Sequence, residues 1–276
     1  CSARSPSGAS SRHAGATRIA VVGGGAGGVE LTLAMQYRLR KELHAAGRKP
    51  DAISFHLLTR DAVILPTHNA RVRRAFERAL AERGVVLRCN AEVKQVSATR
   101  LRTASGETVD ADEIVWVTRA GGAPWLRETG LALDADGFIQ VTDTLQTVTD
   151  PKVFAAGDVA SMVQHPREKA GVFAVRQGPP LAENLRRIVA GIALKPYRPQ
   201  STWLALISTG DKYAVASRGA LGFQGAWVWR WKDWIDRRFM LKFSVFPPMQ
   251  AGPAQTPAPV QLDQEEAAQA ISAVAM

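Results

Sequence analysis

The chain has 276 residues, 46% hydrophobic and 22% charged, so it can bury an ordinary globular core and is not disordered throughout. Its 35 Lys and Arg against 25 Asp and Glu leave a formal charge of +10, which brings nucleic acid, anionic lipid and phosphorylated cofactors into view without choosing among them. Two cysteines, Cys1 and Cys89, exclude a disulfide-stapled scaffold, a CxxC dithiol centre and a cysteine-based zinc site, and they suit a reducing, cytoplasmic setting.

No apolar run approaches the ~20 residues needed to cross a bilayer, and no secretion signal opens the chain. The first residue is Cys rather than Met, which reads as a processed product or a piece of a longer frame. Residues 1–16 are small and polar and read as a linker. From Thr17 the texture changes: a strand over Arg18–Val22 runs into six residues, Gly23 to Gly28 (GGGAGG), and then into a helical stretch ending near Gly47. A second strand, Ile53–Leu58, an Arg-rich amphipathic helix, Arg71–Arg83, and a third strand, Val85–Arg88, follow. This βαβαβ alternation predicts a right-handed parallel sheet covered by helices. Short strands at Glu92–Val96, Leu101–Thr103 and Glu107–Val109 come next, with Ser105-Gly106 as a hairpin turn, and Glu113–Val117 is predicted as a further buried strand.

After a Gly- and Pro-rich loop, Arg119–Pro124, the pattern predicts strands at Gly137–Val141 and Val153–Ala156 and a helix from Gly171 to Ala190. Two more strands, Trp203–Thr209 and Tyr213–Arg218, precede a Trp-rich helix from Trp227 to Phe243. Residues 247–276 are rich in Pro, Ala and Gln and read as a second linker.

Gly23, Gly25 and Gly28 spell GxGxxG between a strand and a helix. The first glycine permits the tight turn, the second lets the main chain approach a pyrophosphate, and the third lets helix and strand pack closely, with the phosphate at the positive end of the helix dipole. NAD or NADP is therefore expected against Gly23, Gly24, Gly25, Ala26, Gly27 and Gly28. At the end of the second strand stand Thr59 and Arg60, with Asp61 one place on; Arg60 suits the 2′-phosphate of NADP, or is a solvated loop arginine. Glu30, read in the first helical turn, either touches the cofactor or only balances the helix dipole.

The segment Phe154-Ala-Ala-Gly-Asp158 is more specific, because a strand ending in Gly157-Asp158 puts a single carboxylate at the ligand-binding edge of an α/β sheet. With the glycine turn it resembles the two-dinucleotide flavoprotein fold of the pyridine nucleotide-disulfide oxidoreductase superfamily. That resemblance implies that Asp158 hydrogen-bonds the ribityl chain of FAD; the alternative is a helix N-cap or turn aspartate. Residues 23–30, the segment ending at Asp158, the later hairpin and the Trp-rich helix look like type II NADH dehydrogenases. Arg176–Pro180 and Trp229–Phe239 resemble, more narrowly, the dehydrogenase-like module fused ahead of selenide, water dikinase (selenophosphate synthetase) in some bacteria. The resemblance implies that the helix beginning at Gly171 turns Val172, Phe173, Arg176 and Gln177 toward flavin or acceptor; the alternative for Phe173, Arg176 and Gln177 is packing of the helix itself. Type II enzymes usually carry Ala-Gln where this chain has Gly171-Val172, and Ala-Thr-Gly where it has Val117-Thr118-Arg119. They also begin with an FAD-binding Rossmann half that is absent here, so the resemblance implies a partial flavoprotein fold that binds FAD poorly alone, with Met276 where a fused kinase would begin.

The domains expected are an NAD(P)-binding Rossmann domain at 17–118, the second part of an FAD-binding domain at 119–195, and a C-terminal hairpin with a basic, Trp-rich helix at 196–246. In that helix Trp227, Trp231, Ile235, Phe239 and Phe243 recur every four residues, while Arg230, Lys232, Arg237, Arg238 and Lys242 outnumber Asp233 and Asp236. Such a helix lies in a membrane interface or packs on its own hairpin. Nucleic acid is a poor partner, because the basic residues are dispersed and no recognition module occurs. The activity expected is hydride transfer from NAD(P)H to FAD and on to a quinone or other acceptor, with no side-chain acid, base, nucleophile or metal. The alternative is a non-catalytic, nucleotide-binding and membrane-docking module attached to a selenophosphate synthetase. The location expected is cytoplasmic, or peripheral on the inner face of the cell membrane.

Overall fold

Residues 16–118 and 121–244 are described by the computed structural model. Within β1 (Thr17–Val22) successive side chains point to opposite faces, so Ile19 and Val21 enter one hydrophobic cluster while Ala20 and Val22 enter another. β1 pairs in parallel with β2 (Ile53–Leu58) and with β7 (Glu113–Trp116), and β2 pairs in parallel with β3 (Val85–Arg88), giving the order β3-β2-β1-β7. β7 is an edge strand among the described residues and is only partly buried, against the expectation of a buried one. Trp116 is exposed there, and its indole N–H donates to Thr118 Oγ1 at 2.7 Å.

Both predicted helices lie on the same side of this sheet. α1 (Ala26–Ala45) contributes Val29 and Leu33, and α2 (Ala70–Glu82) contributes Val72, Phe76 and Leu80, to the cluster holding Ile19, Val21, Phe55 and Leu57. The i, i+4, i+8 spacing of the α2 residues builds a single apolar stripe. Asn69 caps α2, its Oδ1 accepting from Val72 N at 3.1 Å. The opposite face is covered by an antiparallel sheet of β4 (Val93–Ser97), β5 (Arg100–Thr103) and β6 (Thr108–Asp110), which brings Leu101, Val109 and Ala111 onto Ala20, Val22 and Leu58. The sequence pattern foresaw these strands and the turn at Gly106 (φ +87°) but not that they, rather than a helix, close the second face.

Residues 121–200 build a separate core of Leu126, Ile139, Val141, Leu145, Ala155, Ala160 and Met162. β8 (Ile139–Val141) pairs in parallel with β9 (Ala160–Met162), and α3 (Gly171–Val189) matches its predicted span. The strand expected at Val153–Ala156 shrinks to one isolated antiparallel bridge, Phe154 to Gln146, flanked by Thr147 N–H donating to Val153 O at 2.8 Å and Ala155 N–H donating to Leu145 O at 3.0 Å.

The C-terminal strands form a three-stranded meander, β10 (Ala205–Ser208), β11 (Ala214–Arg218) and β12 (Leu221–Gly225), instead of a two-stranded hairpin. Ile207 and Val215 belong to the same core as β1, α1 and α2. Asn69 Nδ2 donates to Gly219 O and Leu221 O, and His68 Nδ1 lies 2.9 Å from Ser217 Oγ, so the approach to α2 is sewn to the meander. α4 (Ala226–Ser244) then begins, with Val228 fully buried against Ala214 and Ala216 while Trp227 and Trp231 are exposed. Two compact units divide the chain, one ending at Asp233 and one starting at Trp234. Both linker readings, apart from Ala16, lie outside the described residues.

Candidate functional site

The parallel register sets Val22 beside Leu58, so the carboxyl ends of β1 and β2 open side by side. Gly23 N–H donates to Leu58 O at 2.8 Å, and Leu65 N–H donates to Gly24 O at 2.8 Å, fixing the turn between strand and helix. The three motif glycines have separable reasons. Gly23 sits at φ +133°, and a Cβ there would lie 2.1 Å from Val117 O; a Cβ on Gly28 would lie 1.8 Å from Gly23 O. A Cβ on Gly25 would meet nothing within 4 Å. The first and third glycines are thus demanded by packing, and the second faces open space at the start of α1. Gly25 is the N-cap, with no side-chain hydrogen bond into the helix and no acidic residue in the first turn, so the dipole end is not neutralised from within α1. Ala26 and Gly27 complete the turn around that space, with Gly27 exposed.

Thr59 lies beneath the turn and is only 3% exposed; a Cβ on Gly24 would collide with it at 2.6 Å. The Arg60 side chain is 64% exposed and lies 3.9 Å from Asp61. Glu30 falls one turn later in α1 than expected, and its Oε1 accepts from Ser208 N at 3.0 Å, so it links α1 to the C-terminal meander.

The second predicted group assembles in the other core. Gly157 (φ +74°) opens a short 3-10 turn, Gly157–Val159, that carries Asp158 at the surface. Gln177 of α3 is 5% exposed, and its Oε1 accepts from Gly157 N at 2.5 Å. Lys169, just ahead of α3, donates from Nζ to Ala160 O at 2.6 Å. The turn bearing Asp158 is therefore held at both ends from α3 and its lead-in. Burial lowers the Lys169 pKa, with Asp134, Asp158 and Asp136 opposing the shift, and the ammonium stands 4.0 Å over the Phe138 ring. A cavity of about 20 Å³ lies among Gly157, Asp158, Lys169, Phe173 and Gln177. Phe173 is buried edge-on to Trp203 at 5.2 Å, Val172 is half-buried, and Arg176 is exposed near Tyr197. Burial pushes the Tyr197 pKa up while Arg176 and Arg167 pull it down. Gln177, expected either to face flavin or acceptor or to pack the helix, supports the turn, and Lys169 drew no notice in the sequence; only its place two residues before a helix marks it.

No cluster of His, Cys, Asp and Glu suited to a metal occurs among the described residues. Cys89 is a free, half-buried thiol whose pKa is raised by burial and by Glu77, so it has little thiolate character. Among the described residues no helix is long and apolar enough to cross a membrane.

The family model of pyridine nucleotide-disulphide oxidoreductases matches residues 5–184, more than half of the chain. The chain belongs to this family. Pyridine nucleotide-disulphide oxidoreductases use FAD and NAD(P)H, and the glycine turn and the Asp158 turn are this chain's candidates for the two. A type II NADH:quinone oxidoreductase of Haemophilus influenzae is 32% identical over 150 residues, 53% of this chain and 34% of that protein. An NADH dehydrogenase-like protein of Mycobacterium tuberculosis is 30% identical over 174 residues, 60% of this chain and 41% of that protein. The chain therefore spans well under half the length of these relatives. Among solved structures, the sulfide:quinone oxidoreductase of Aquifex aeolicus superposes with a TM-score of 0.65 at 18% identity, covering 83% of this chain and 58% of that one, which is a likeness of fold.

Proposed function

We propose that this chain is the nicotinamide-binding part, together with one edge of the flavin-binding part, of an enzyme that passes a hydride from NAD(P)H to FAD and on to a quinone or another acceptor. The observation that carries the reading is the glycine turn, in which Gly23 and Gly28 are forced by packing while Gly25 faces open space at an uncapped helix start. That is the arrangement a pyrophosphate needs. The main-chain N–H groups of Ala26 and Gly27 would hold it. Asp158, set on a turn clamped by Gln177 and Lys169, would accept hydrogen bonds from the hydroxyls of a bound flavin's side chain. A bound flavin supplies the ring that accepts the hydride; the residues here bind, orient and exclude water.

The domain limits follow the same reading: a nucleotide domain at 17–118, flavin-side structure at 119–195 and the C-terminal segment at 196–246. Trp227 and Trp231 are exposed beside basic residues, which supports docking of this edge on an anionic membrane, at the cytoplasmic face where a quinone acceptor is reached. The matches above support the oxidoreductase reading over a module attached to selenide, water dikinase.

Titration of the 276-residue chain with NADH and NADPH, followed by quenching of tryptophan fluorescence, tests the nucleotide site. Saturable binding weakened at least ten-fold by Gly25→Val, with the fold retained, is expected; absence of binding to either nucleotide refutes it. For the full-length protein, a flavin absorbance band bleached by NADH or NADPH and restored by a quinone analogue is the expected result. A colourless protein that binds nucleotide would instead favour the non-catalytic module.

A further inference from the structure

We infer that the nucleotide pocket discriminates at the adenosine ribose and that Arg60 selects a 2′-phosphorylated dinucleotide, an inference that rests on the nucleotide-site reading above. A pocket for an unphosphorylated ribose presents a carboxylate at the end of the second strand, whose lone pairs accept from the ribose hydroxyls. Here that place belongs to Thr59, which is buried under Gly24, and whose Oγ1 already accepts from Asp61 N at 3.3 Å. The next residue, Arg60, is the first whose side chain emerges, at 64% exposed.

The backbone leaves this order little freedom. Thr59 N–H donates to Arg88 O at 2.9 Å, Ala91 N–H to Thr59 O at 2.8 Å, and Asn90 N–H to Asp61 O at 3.0 Å. These bonds pin residues 59–61 to the end of β3, so Arg60 stays at the strand end. Arg88, on that neighbouring strand, is engaged with Glu107. The contact between Arg60 Nε and Asp61 Oδ1, at 3.9 Å and largely solvated, is a weak ion pair, so the guanidinium is readily redirected. A guanidinium offers a planar fork matched to two phosphate oxygens and keeps its charge at any working pH. Asp61 is the competing reader, since its carboxylate would favour ribose hydroxyls and repel a phosphate.

The test is calorimetric titration of the 276-residue chain with adenosine 2′,5′-bisphosphate and with adenosine 5′-monophosphate, at about 0.15 M salt so that the general positive field is screened. The bisphosphate is expected to bind roughly ten-fold or more tighter than the monophosphate. Arg60→Ala should bring the two within about three-fold while leaving monophosphate affinity and the melting temperature unchanged. Asp61→Asn should preserve or widen the gap. Equal affinities in the parent, or a gap that survives Arg60→Ala, overturn the inference while leaving the nucleotide site standing. Tighter binding of the monophosphate that is lost in Asp61→Asn overturns it in favour of ribose-hydroxyl recognition. Failure of the folded chain to bind either probe removes the nucleotide site and the inference together.

Discussion

Gly28→Ala should destabilise the fold although alanine is the better helix former. The added Cβ would stand 1.8 Å from Gly23 O and 2.9 Å from Gly23 C, both backbone atoms. The first distance is more than 1 Å inside any contact that such atoms sustain, so α1 must shift away from the end of β1. Overpacking costs about 1–3 kcal/mol and here belongs at the upper end, since a backbone carbonyl cannot swing aside as a side chain would. Helix propensity returns at most about 1 kcal/mol. A net loss of about 2 kcal/mol corresponds to roughly 4–8 °C in melting temperature for a unit of this size. Gly25→Ala is the internal control: its Cβ meets nothing within 4 Å and its φ of −73° suits any residue. Its poorer capping, about 1 kcal/mol, is offset by a stiffer unfolded chain, about 0.4–1 kcal/mol. Thermal unfolding followed by circular dichroism reads both variants. If Gly28→Ala melts within about a degree of Gly25→Ala, the close helix–strand approach is not what fixes this turn.

Gln177→Ala should strand the Gly157 N–H and cost about 1–3 kcal/mol, visible as faster amide hydrogen exchange at Gly157; unchanged exchange there would remove Gln177 from its supporting role. Trp231→Glu, at an exposed position, should leave the melt intact and reduce co-sedimentation with anionic vesicles, whereas Val228→Asp, at a fully buried one, should unfold the packing of α4 on the meander at a cost of several kcal/mol. Vesicle binding indifferent to Trp231→Glu would count against the membrane edge. Burial lowers the pKa of both His56 and His68, helped at His56 by Arg88 and Arg18. The unfolded imidazoles bind protons first, at about pH 6.5, so the stability present above that pH falls as the pH drops through 6.5 toward the folded values. Melts between about pH 7.5 and 5.5 should show this decline, and it should flatten in His68→Gln; a melting temperature that rises on acidification would refute the sign.

The elements easiest to read were those whose side chains alternate or repeat against a core. β2, β3 and α2 match their predicted spans to within a residue, because Phe55 and Leu57 on one, and Val72, Phe76 and Leu80 on the other, enter a single cluster. β12 was missed because Leu221 and Phe223 are exposed and two glycines interrupt the segment; it exists through main-chain pairing with β11, which leaves no trace in side-chain pattern. Val153–Ala156 failed the other way, having strand composition but pairing with Leu145–Thr147 through a single bridge. In α4 the aromatic stripe left packing on the hairpin and a membrane interface both open, and the structure exposes Trp227 and Trp231 while burying Val228. Periodicity identifies an apolar face without saying whether the chain itself covers it. At the site, the glycine spacing was legible, but the partners of Gln177 and Glu30 lie 20 and 178 residues away and are properties of the folded chain alone.

The bond between Glu30 and Ser208 has a neighbour with the same reach. Gly210 (φ +85°) presses so closely on α1 that a Cβ would lie 2.6 Å from Ala34 Cα, and Arg83 donates to Thr209 O from the far end of α2. On a ribosome, then, the helix that follows the glycine turn stays unfinished: Leu33 has no Ile207 or Val215 to cover it until synthesis has passed Val215. Contacts of such separation are slow to form, and the nascent domain must be shielded meanwhile. Cutting the chain between α3 and β10 would yield a Rossmann unit with an open flank.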